Sequence, residues 1–283
     1  TGGTITTSGK WSEIFAGRVL TPQDIVLIKT GATVTFDTTG VELDSLGIEG
    51  NLIFANDKNT GIKVNNILVY ATGYLEIGKE GAPIQNSVNA EIVIRDKAFD
   101  FQKDPNQVGQ SLIMFGKVRI HGRRMDKTFI RLAQNVNPGD VVLNMESPPV
   151  GWLPDDKLVL PDTRQDNPTS STYSWQGEIG IIAGISGNSI FLKSPLLYSH
   201  FGAIDASGIQ TVLKSGEKLM PHAANLSRNV IIRSENSNGT RGHTLANGRA
   251  DIDIRYASFK DLGRTTISPI SNTVFEATIL NQI

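Results

Sequence analysis

The chain has 283 residues, a formal net charge of -1, no cysteine and four histidines. So nearly neutral a chain is not built for wholesale binding to nucleic acid or to an anionic membrane, and without cysteine it has no disulfide, thiolate zinc site or cysteine nucleophile. No apolar run approaches the ~20 residues of a membrane helix, so no membrane insertion is expected.

The Gly/Thr-rich residues 1–7 suit an edge strand or arm, with neither a basic nor an apolar leader. Trp11, Ile14 and Phe15 at i, i+3 and i+4 predict one or two helical turns covering the open end of a strand stack. Residues 31–96 then carry short β-branched runs at 34–36, 52–54, 62–64, 67–69, 75–77 and 92–94, separated by Gly, Asn and Asp. Each run alternates apolar and polar residues, so each has one face to bury. The runs are too short for helices and too many for one hairpin, and stacking them as rungs of a solenoid buries every inner face. Lys63, Glu76 and Lys79 look scattered on the outer face of this ladder and suggest little chemistry there. A polar loop is expected over 97–111, followed by a strand in which Val118 and Ile120 point one way and Arg119 and His121 the other.

The character changes near Thr128. Turns at 137–140 (NPGD), 152–156 (WLPDD) and 186–188 (SGN) lie between strand-like runs, which predicts a small antiparallel barrel or sandwich at about residues 128–200. Residues 162–177 form a long polar loop, long enough to suspect a binding role or disorder. Rung-like segments then return at 229–234, 250–259 and 273–280. The expected organisation is a cap and first β-helical section at 1–127, an inserted barrel-like section at 128–200, and resumed parallel rungs at 201–283. The apolar run that reaches Ile283 would expose a strand edge, so a further segment or a partner chain is expected to cover it.

The glycines at 17, 31, 40, 50, 61, 73, 78, 81, 116 and 122, set among short strands, resemble the eight-glycine (G-eight) domain family, which includes the cell-surface hyaluronidase, the cell-migration-inducing hyaluronan-binding protein and fibrocystin. Val118-Arg119-Ile120-His121-Gly122 followed by Thr128-Phe129 is similar to the segment that closes this domain. Trp152 with Asp156-Lys157-Leu158-Val159-Leu160 resembles the following W-x-x-G-D-x-I-V-I strand, with Asp155 where the family has glycine. Pro195-Leu196, His200-Phe201-Gly202, Leu226-Ser227-Arg228-Asn229-Val230, Gly242-His243 and Ala257-Ser258-Phe259-Lys260-Asp261-Leu262-Gly263 are similar to segments that lead back into the helix. The resemblance covers nearly all of residues 17–264. It implies an all-β fold, a right-handed parallel β-helix with an inserted barrel-like section, and an extracellular glycan as ligand or substrate. The family's histidine-rich Y-P-x-H-F-H segment has no counterpart before Ile283.

The most suggestive local pattern is Ala250 to Arg255 (ADIDIR). With Ile252 and Ile254 inward, Asp251, Asp253 and Arg255 share the outer face at ~7 Å spacing. Two carboxylates and a guanidinium there suit acid/base work with a clamp on an acidic sugar, or Ca²⁺ binding by Asp251 and Asp253. The plain alternative is a solvated strand face. His243, beside Arg241 and just before this strand, is the first candidate for a catalytic imidazole, giving a catalytic set of His243, Asp251 and Asp253. Arg241, Arg255, His121, Arg123 and Arg124 are the candidates for holding an anionic glycan, with Lys127 close to the last three; a charged loop is the alternative. His200 and His222 receive no role. No nucleotide, metalloprotease or serine-hydrolase motif occurs. The expected protein is secreted or held at a cell surface, from a bacterial source in view of the missing cysteines. It is expected to recognise an acidic polysaccharide; whether the full length also depolymerises it, then as a hydrolase or lyase, is left open, and a non-catalytic adhesion rod is the alternative.

Overall fold

The computed structural model describes residues 2–100, 102–164 and 174–263. Among them nearly everything is strand, turn or loop, with one short helix. The chain divides into two compact units, Thr1–Arg123 with Arg228–Ile283, and Arg124–Ser227.

The first unit starts with β1 (Gly3–Ile5), β2 (Gly9–Lys10) and α1 (Trp11–Ile14), where the apolar spacing predicted a helical turn. Then follow β3 (Ile25–Ile28), β4 (Thr33–Phe36), β5 (Val41–Ile48), β6 (Asn51–Phe54), β7 (Thr60–Val69), β8 (Tyr74–Ile77), β9 (Ala90–Ile94), β10 (Ser111–Met114) and β11 (Lys117–His121). Between β11 and the rest of this unit the chain makes the whole second unit. Its strands are β12 (Phe129–Arg131), β13 (Val142–Asn144), β14 (Lys157–Leu160), β15 (Glu178–Ser186), β16 (Ser189–Leu192) and β17 (His222–Asn225). The first unit then resumes with β18 (Val230–Ser234), β19 (His243–Ala246), β20 (Asp251–Arg255) and β21 (Ala257–Lys260).

All pairing within the first unit's sheets is parallel, as expected for rungs whose neighbours are consecutive passes of the chain. One sheet runs β1-β3-β5-β7-β9-β18-β21 and the other β2-β4-β6-β8-β11-β20. The long strand β7 feeds two columns. Thr60–Val64 pairs with β9, and Asn66–Val69 pairs with β10, which pairs onward with β19. At the break between them Asn65 is buried and donates its side-chain amide to Oδ1 of Asp44 at 2.6 Å. Each complete pass therefore places one strand in each of three columns: 60–64, 66–69 and 74–77; then 90–94, 111–114 and 117–121; then 230–234, 243–246 and 251–255.

Alternation along the strands sends one set of side chains inward. Val34, Leu52, Leu75 and Val118 stack in register, and so do Phe36 and Phe54, and Ile77 and Ile120; all are buried. Burying each such side chain is worth about 1.5–3 kcal/mol. Trp11 closes the first end of this core, 5.1 Å from Phe36, which is 4.7 Å from Phe54. The glycines before β6, β8 and β11 have a steric reason. A Cβ on Gly50 would lie 2.3 Å from the Lys29 carbonyl oxygen, on Gly73 2.0 Å from that of Ile48, and on Gly116 2.2 Å from that of Tyr70. Successive passes approach too closely there for any side chain.

The second unit is a six-stranded antiparallel sheet of order β12-β17-β14-β15-β16-β13. Residues 201–227, grouped with the later rungs in the sequence reading, belong to this unit, because β17 pairs antiparallel with both β12 and β14. Asp155, where the resembled family has glycine, keeps the left-handed backbone that glycine would supply (φ 70°). Trp152 donates its indole N–H to the Lys127 carbonyl at 2.8 Å. The segment at 273–280 and most of the polar loop at 162–177 lie outside the described residues.

Candidate functional site

Parallel stacking of β4, β6, β8, β11 and β20 lines up the side chains of their outer face in two rows. One row is Thr33, Asn51, Tyr74, Lys117 and Asp251; the other is Thr35, Ile53, Glu76, Arg119 and Asp253. Neighbouring strands in such a sheet are ~4.8 Å apart, so successive functional groups recur at that interval. His121 and Arg255, opposite one another, end the face.

The groups are cross-linked. Arg119 donates from Nη2 to both carboxylate oxygens of Asp251, at 2.9 and 2.7 Å, and from Nη1 to the backbone carbonyls of Asp251 (2.8 Å) and Val118 (2.9 Å). Arg255 donates from Nε to Oδ1 of Asp253 at 2.9 Å, and its Nη1 lies 3.4 Å from Oε1 of Glu80. The Tyr74 hydroxyl donates to the carboxylate of Glu76, and Lys79 reaches the same carboxylate at 3.2 Å. Lys117 places its ammonium 5.6 Å from the centre of the Tyr74 ring. His121 is buried, and its Nε2 lies 3.0 Å from Oδ2 of Asp253, within ion-pair range but off the line of a well-formed hydrogen bond.

The hydrogen bond from Arg119 holds the Asp251 carboxyl below the ordinary aspartate range. Burial by itself would raise Asp253, but the Arg255 hydrogen bond and the neighbouring cationic side chains outweigh it and hold that carboxyl low as well. Burial, and then the hydrogen bond to Glu76, push the Tyr74 hydroxyl above its ordinary value. Both aspartates are therefore anions at neutral pH, fitted to hold cations or accept hydrogen bonds.

The expected site residues separate. Asp251, Asp253 and Arg255 share an outer face as alternation predicts, and His121 joins them. His243 does not: it lies on β19, paired with Ser111 in the other sheet, and its backbone N–H donates to the Gln110 carbonyl at 3.1 Å. Arg241 donates to the backbone carbonyls of Asp261 and Leu262, both at 2.7 Å, and so secures a turn. Arg123 is buried, and its backbone N–H donates to the Asn229 side chain at 2.7 Å. Arg124 belongs to the second unit, where its Nε lies 3.8 Å from Asp126. Among the described residues no three His, Asp or Glu side chains converge as a metal site, and no helix is long and apolar enough to cross a membrane. The sequence reading missed Tyr74, Glu76, Lys79 and Arg119. The signal for them was the shared alternation of 74–77 and 117–121, which becomes a site only once the passes are set in register.

Residues 11–133 match the G8 domain family. Over 224 residues the chain is 27% identical to fibrocystin of Canis lupus familiaris, covering 76% of this chain and 5% of that protein. Over 234 residues it is 26% identical to human fibrocystin-L, covering 80% of this chain and 5% of that protein. The chain thus spans about a twentieth of the length of these curated relatives. The dog and human sources lend no support to a bacterial origin. Among solved structures, the Gp54 tailspike of Acinetobacter baumannii bacteriophage AP22, in complex with A. baumannii capsular saccharide, gives a TM-score of 0.27 at 12% identity, over 76% of this chain and 26% of the tailspike.

Proposed function

This chain carries a G8 domain over residues 11–133, and from that premise we propose that it recognises an extracellular polysaccharide with acidic groups, laid along the outer face of β6, β8, β11 and β20. The observation that carries the reading is the pair of in-register rows that brings Tyr74, Glu76, Lys117, Arg119, Asp251 and Asp253 together. A strand spacing of ~4.8 Å is close to the length of one pyranose in an extended chain, so a sugar polymer crossing the strands meets a new pair of side chains at each unit. Arg119, Arg255, Lys79 and Lys117 hold sugar carboxylates, while Asp251 and Asp253 accept from hydroxyls; Glu76 is buried and orients Tyr74 and Lys79. Each cation already has an internal partner, so a single contact gives little net affinity, and many along one strand give useful avidity. His121 fixes Asp253 from below. Arg241 secures a turn in this reading, and Arg123 is buried away from the face. Calcium has no part in it, because Asp251 and Asp253 spend their oxygens on Arg119 and Arg255.

Recognition fits better than cleavage. A general acid for glycoside hydrolysis needs a raised pKa, and both aspartates are held low. Depolymerisation survives as a second reading only through Glu76, which is buried, bonded by Tyr74 and paired in register with Arg119. The finer fold belongs to the same proposal: the three-column passes are turns of a right-handed parallel β-helix, the usual hand for parallel crossovers, and the antiparallel unit is a barrel-like insert. The place of action is outside the cell or on its surface, where such polysaccharides lie.

The test is to measure binding to hyaluronan, chondroitin, alginate and pectin, and to assay the same mixtures for new reducing ends or unsaturated products with and without Ca²⁺. Saturable binding without product is expected. Absence of binding to every polymer defeats the proposal, and release of product shifts it to the second reading.

A further inference from the structure

Between β8 and β9 the chain makes a turn, Gly78 to Asn89, whose backbone is fastened on several sides. The side-chain amide of Asn229, itself buried, donates to the carbonyls of Gln85 (2.8 Å), Val88 (2.9 Å) and Ile84 (3.4 Å). The Ile84 N–H donates to the His121 carbonyl at 3.0 Å, and the Gln85 N–H to that of Asn56 at 2.9 Å. The Asn89 N–H donates to the Asn59 side chain at 2.8 Å. This fixed backbone walls an open groove of about 580 Å³, lined by Asn56, Gly81, Ala82, Pro83, Gln85, Asn86 and Ser87.

Two features give the groove a chemistry. No charged side chain lines it. Its polar side chains, Asn56, Gln85, Asn86 and Ser87, make no hydrogen bond of their own to the described residues, although the backbone that carries them is held rigid. Three amides and a hydroxyl offer donors and acceptors together, which is what sugar hydroxyls and an acetamido group require. Ala82 and Pro83 supply an apolar patch for the C–H face of a pyranose. No cation lines the groove to hold a carboxylate, so an uncharged sugar is the better fit.

We propose that this groove is a subsite for an uncharged sugar unit, a hexose or N-acetylhexosamine. The proposal rests on the glycan reading above. Lys79 and Glu80 lead directly from the charged face into the lining at Gly81: Lys79 reaches Glu76, and Glu80 pairs with Arg255. A polysaccharide alternating acidic and neutral units would thus find both kinds of partner side by side. The backbone that carries these groups is already held, so a bound sugar has only side-chain rotamers left to order.

The experiment follows the side-chain amide signals of Asn56, Gln85 and Asn86 in ¹H–¹⁵N spectra during titration with N-acetylglucosamine, glucose and glucuronic acid, in the parent protein and in a Gln85→Ala/Asn86→Ala double variant. The expected result is saturable shifts with the neutral sugars, much weaker ones with glucuronic acid, and about a tenfold weaker affinity in the double variant, the scale of losing one or two hydrogen bonds. Both substituted residues are exposed, so the melting temperature stays unchanged. Absence of shifts with either neutral sugar, equal shifts with glucuronic acid, or unchanged affinity in the double variant overturns the subsite. Hyaluronan binding measured in parallel separates the two claims: if it persists while the neutral sugars fail, only the subsite falls; if the neutral sugars bind and no acidic polymer does, the subsite stands and the acidic-polysaccharide reading falls.

Discussion

In the first unit His121 lies 3.0 Å from a carboxylate oxygen of Asp253, and in the second His200 lies 2.9 Å from one of Glu178. Both imidazoles are buried, yet their settings differ. The Pro161 carbonyl, 2.7 Å from Nδ1 of His200, can only accept, so that nitrogen donates to it. Glu178 also accepts the backbone N–H groups of Leu197 (2.8 Å) and Tyr198 (3.1 Å). Every strong bond of that pair ends on backbone or on the partner, and the whole works as a strut. Asp253 is about a third exposed, and its partners are the side chains of His121 and Arg255. Side chains on an open face can trade partners with a ligand; a carboxylate tied to the backbone cannot. The contrast belongs to these two pairs and not to the units as a whole: the antiparallel unit has exposed ion pairs such as Arg131–Glu146, and the parallel unit has buried struts such as Asn229.

Four substitutions or conditions would break or sharpen this contrast. Removing the strut has the largest effect. Glu178→Ala leaves two backbone N–H groups and the Nε2 of a buried imidazole unpartnered, and lowers stability by about 3–5 kcal/mol. Urea unfolding monitored through the second unit should record this loss, with polysaccharide affinity unchanged at a temperature where the variant stays folded. Next, Leu75→Ala removes a fully buried side chain beneath Tyr74 and Glu76 and costs about 2–5 kcal/mol. A melting curve reports it, and the outer face loses its flat support. Arg119→Ala is expected to show the opposite balance. Its partner Asp251 is well exposed, so stability changes by less than about 1 kcal/mol, whereas polysaccharide affinity falls about tenfold; calorimetry measures both.

The smallest effect is on acid titration. Asp251 and Asp253 have folded values below their unfolded one. The stability they contribute is present above the unfolded value, near pH 4, and is lost only as the pH falls through the lower folded values. Carboxyl ¹³C shifts should show both residues still ionised at a pH where exposed aspartates are half protonated. Midpoints at or above the ordinary aspartate value would contradict the pairing.

Much of this was legible in the sequence, and for a physical reason. A period of two fixes which face a side chain takes, so the outward Asp251, Asp253 and Arg255 and the inward Ile252 could be assigned without coordinates, although Ile254, expected inward, is exposed. The glycines before β6, β8 and β11 carried the family resemblance, and their steric reason appeared only once successive passes were in place. Alternation does not fix which strands become neighbours. Arg119 and Asp251 stand 132 positions apart, with the entire antiparallel unit between them, and no local pattern brings them together. The same gap made Glu76 and Lys79 look scattered. His243 was attractive because it precedes Asp251 by only a few residues, yet in a three-column winding a few residues carry the chain from one sheet to another. Nearness in sequence was the poorer guide, and register across passes the better one.

The central claim is that an acidic polysaccharide lies across β8, β11 and β20. The most direct measurement is an isothermal titration of hyaluronan oligosaccharides, with chondroitin, alginate and pectin fragments alongside, into the parent protein and into Arg119→Ala. Saturable binding to at least one of them, weakened about tenfold by Arg119→Ala at unchanged melting temperature, is the predicted result. No binding to any of the four, or an affinity indifferent to Arg119, would contradict the account.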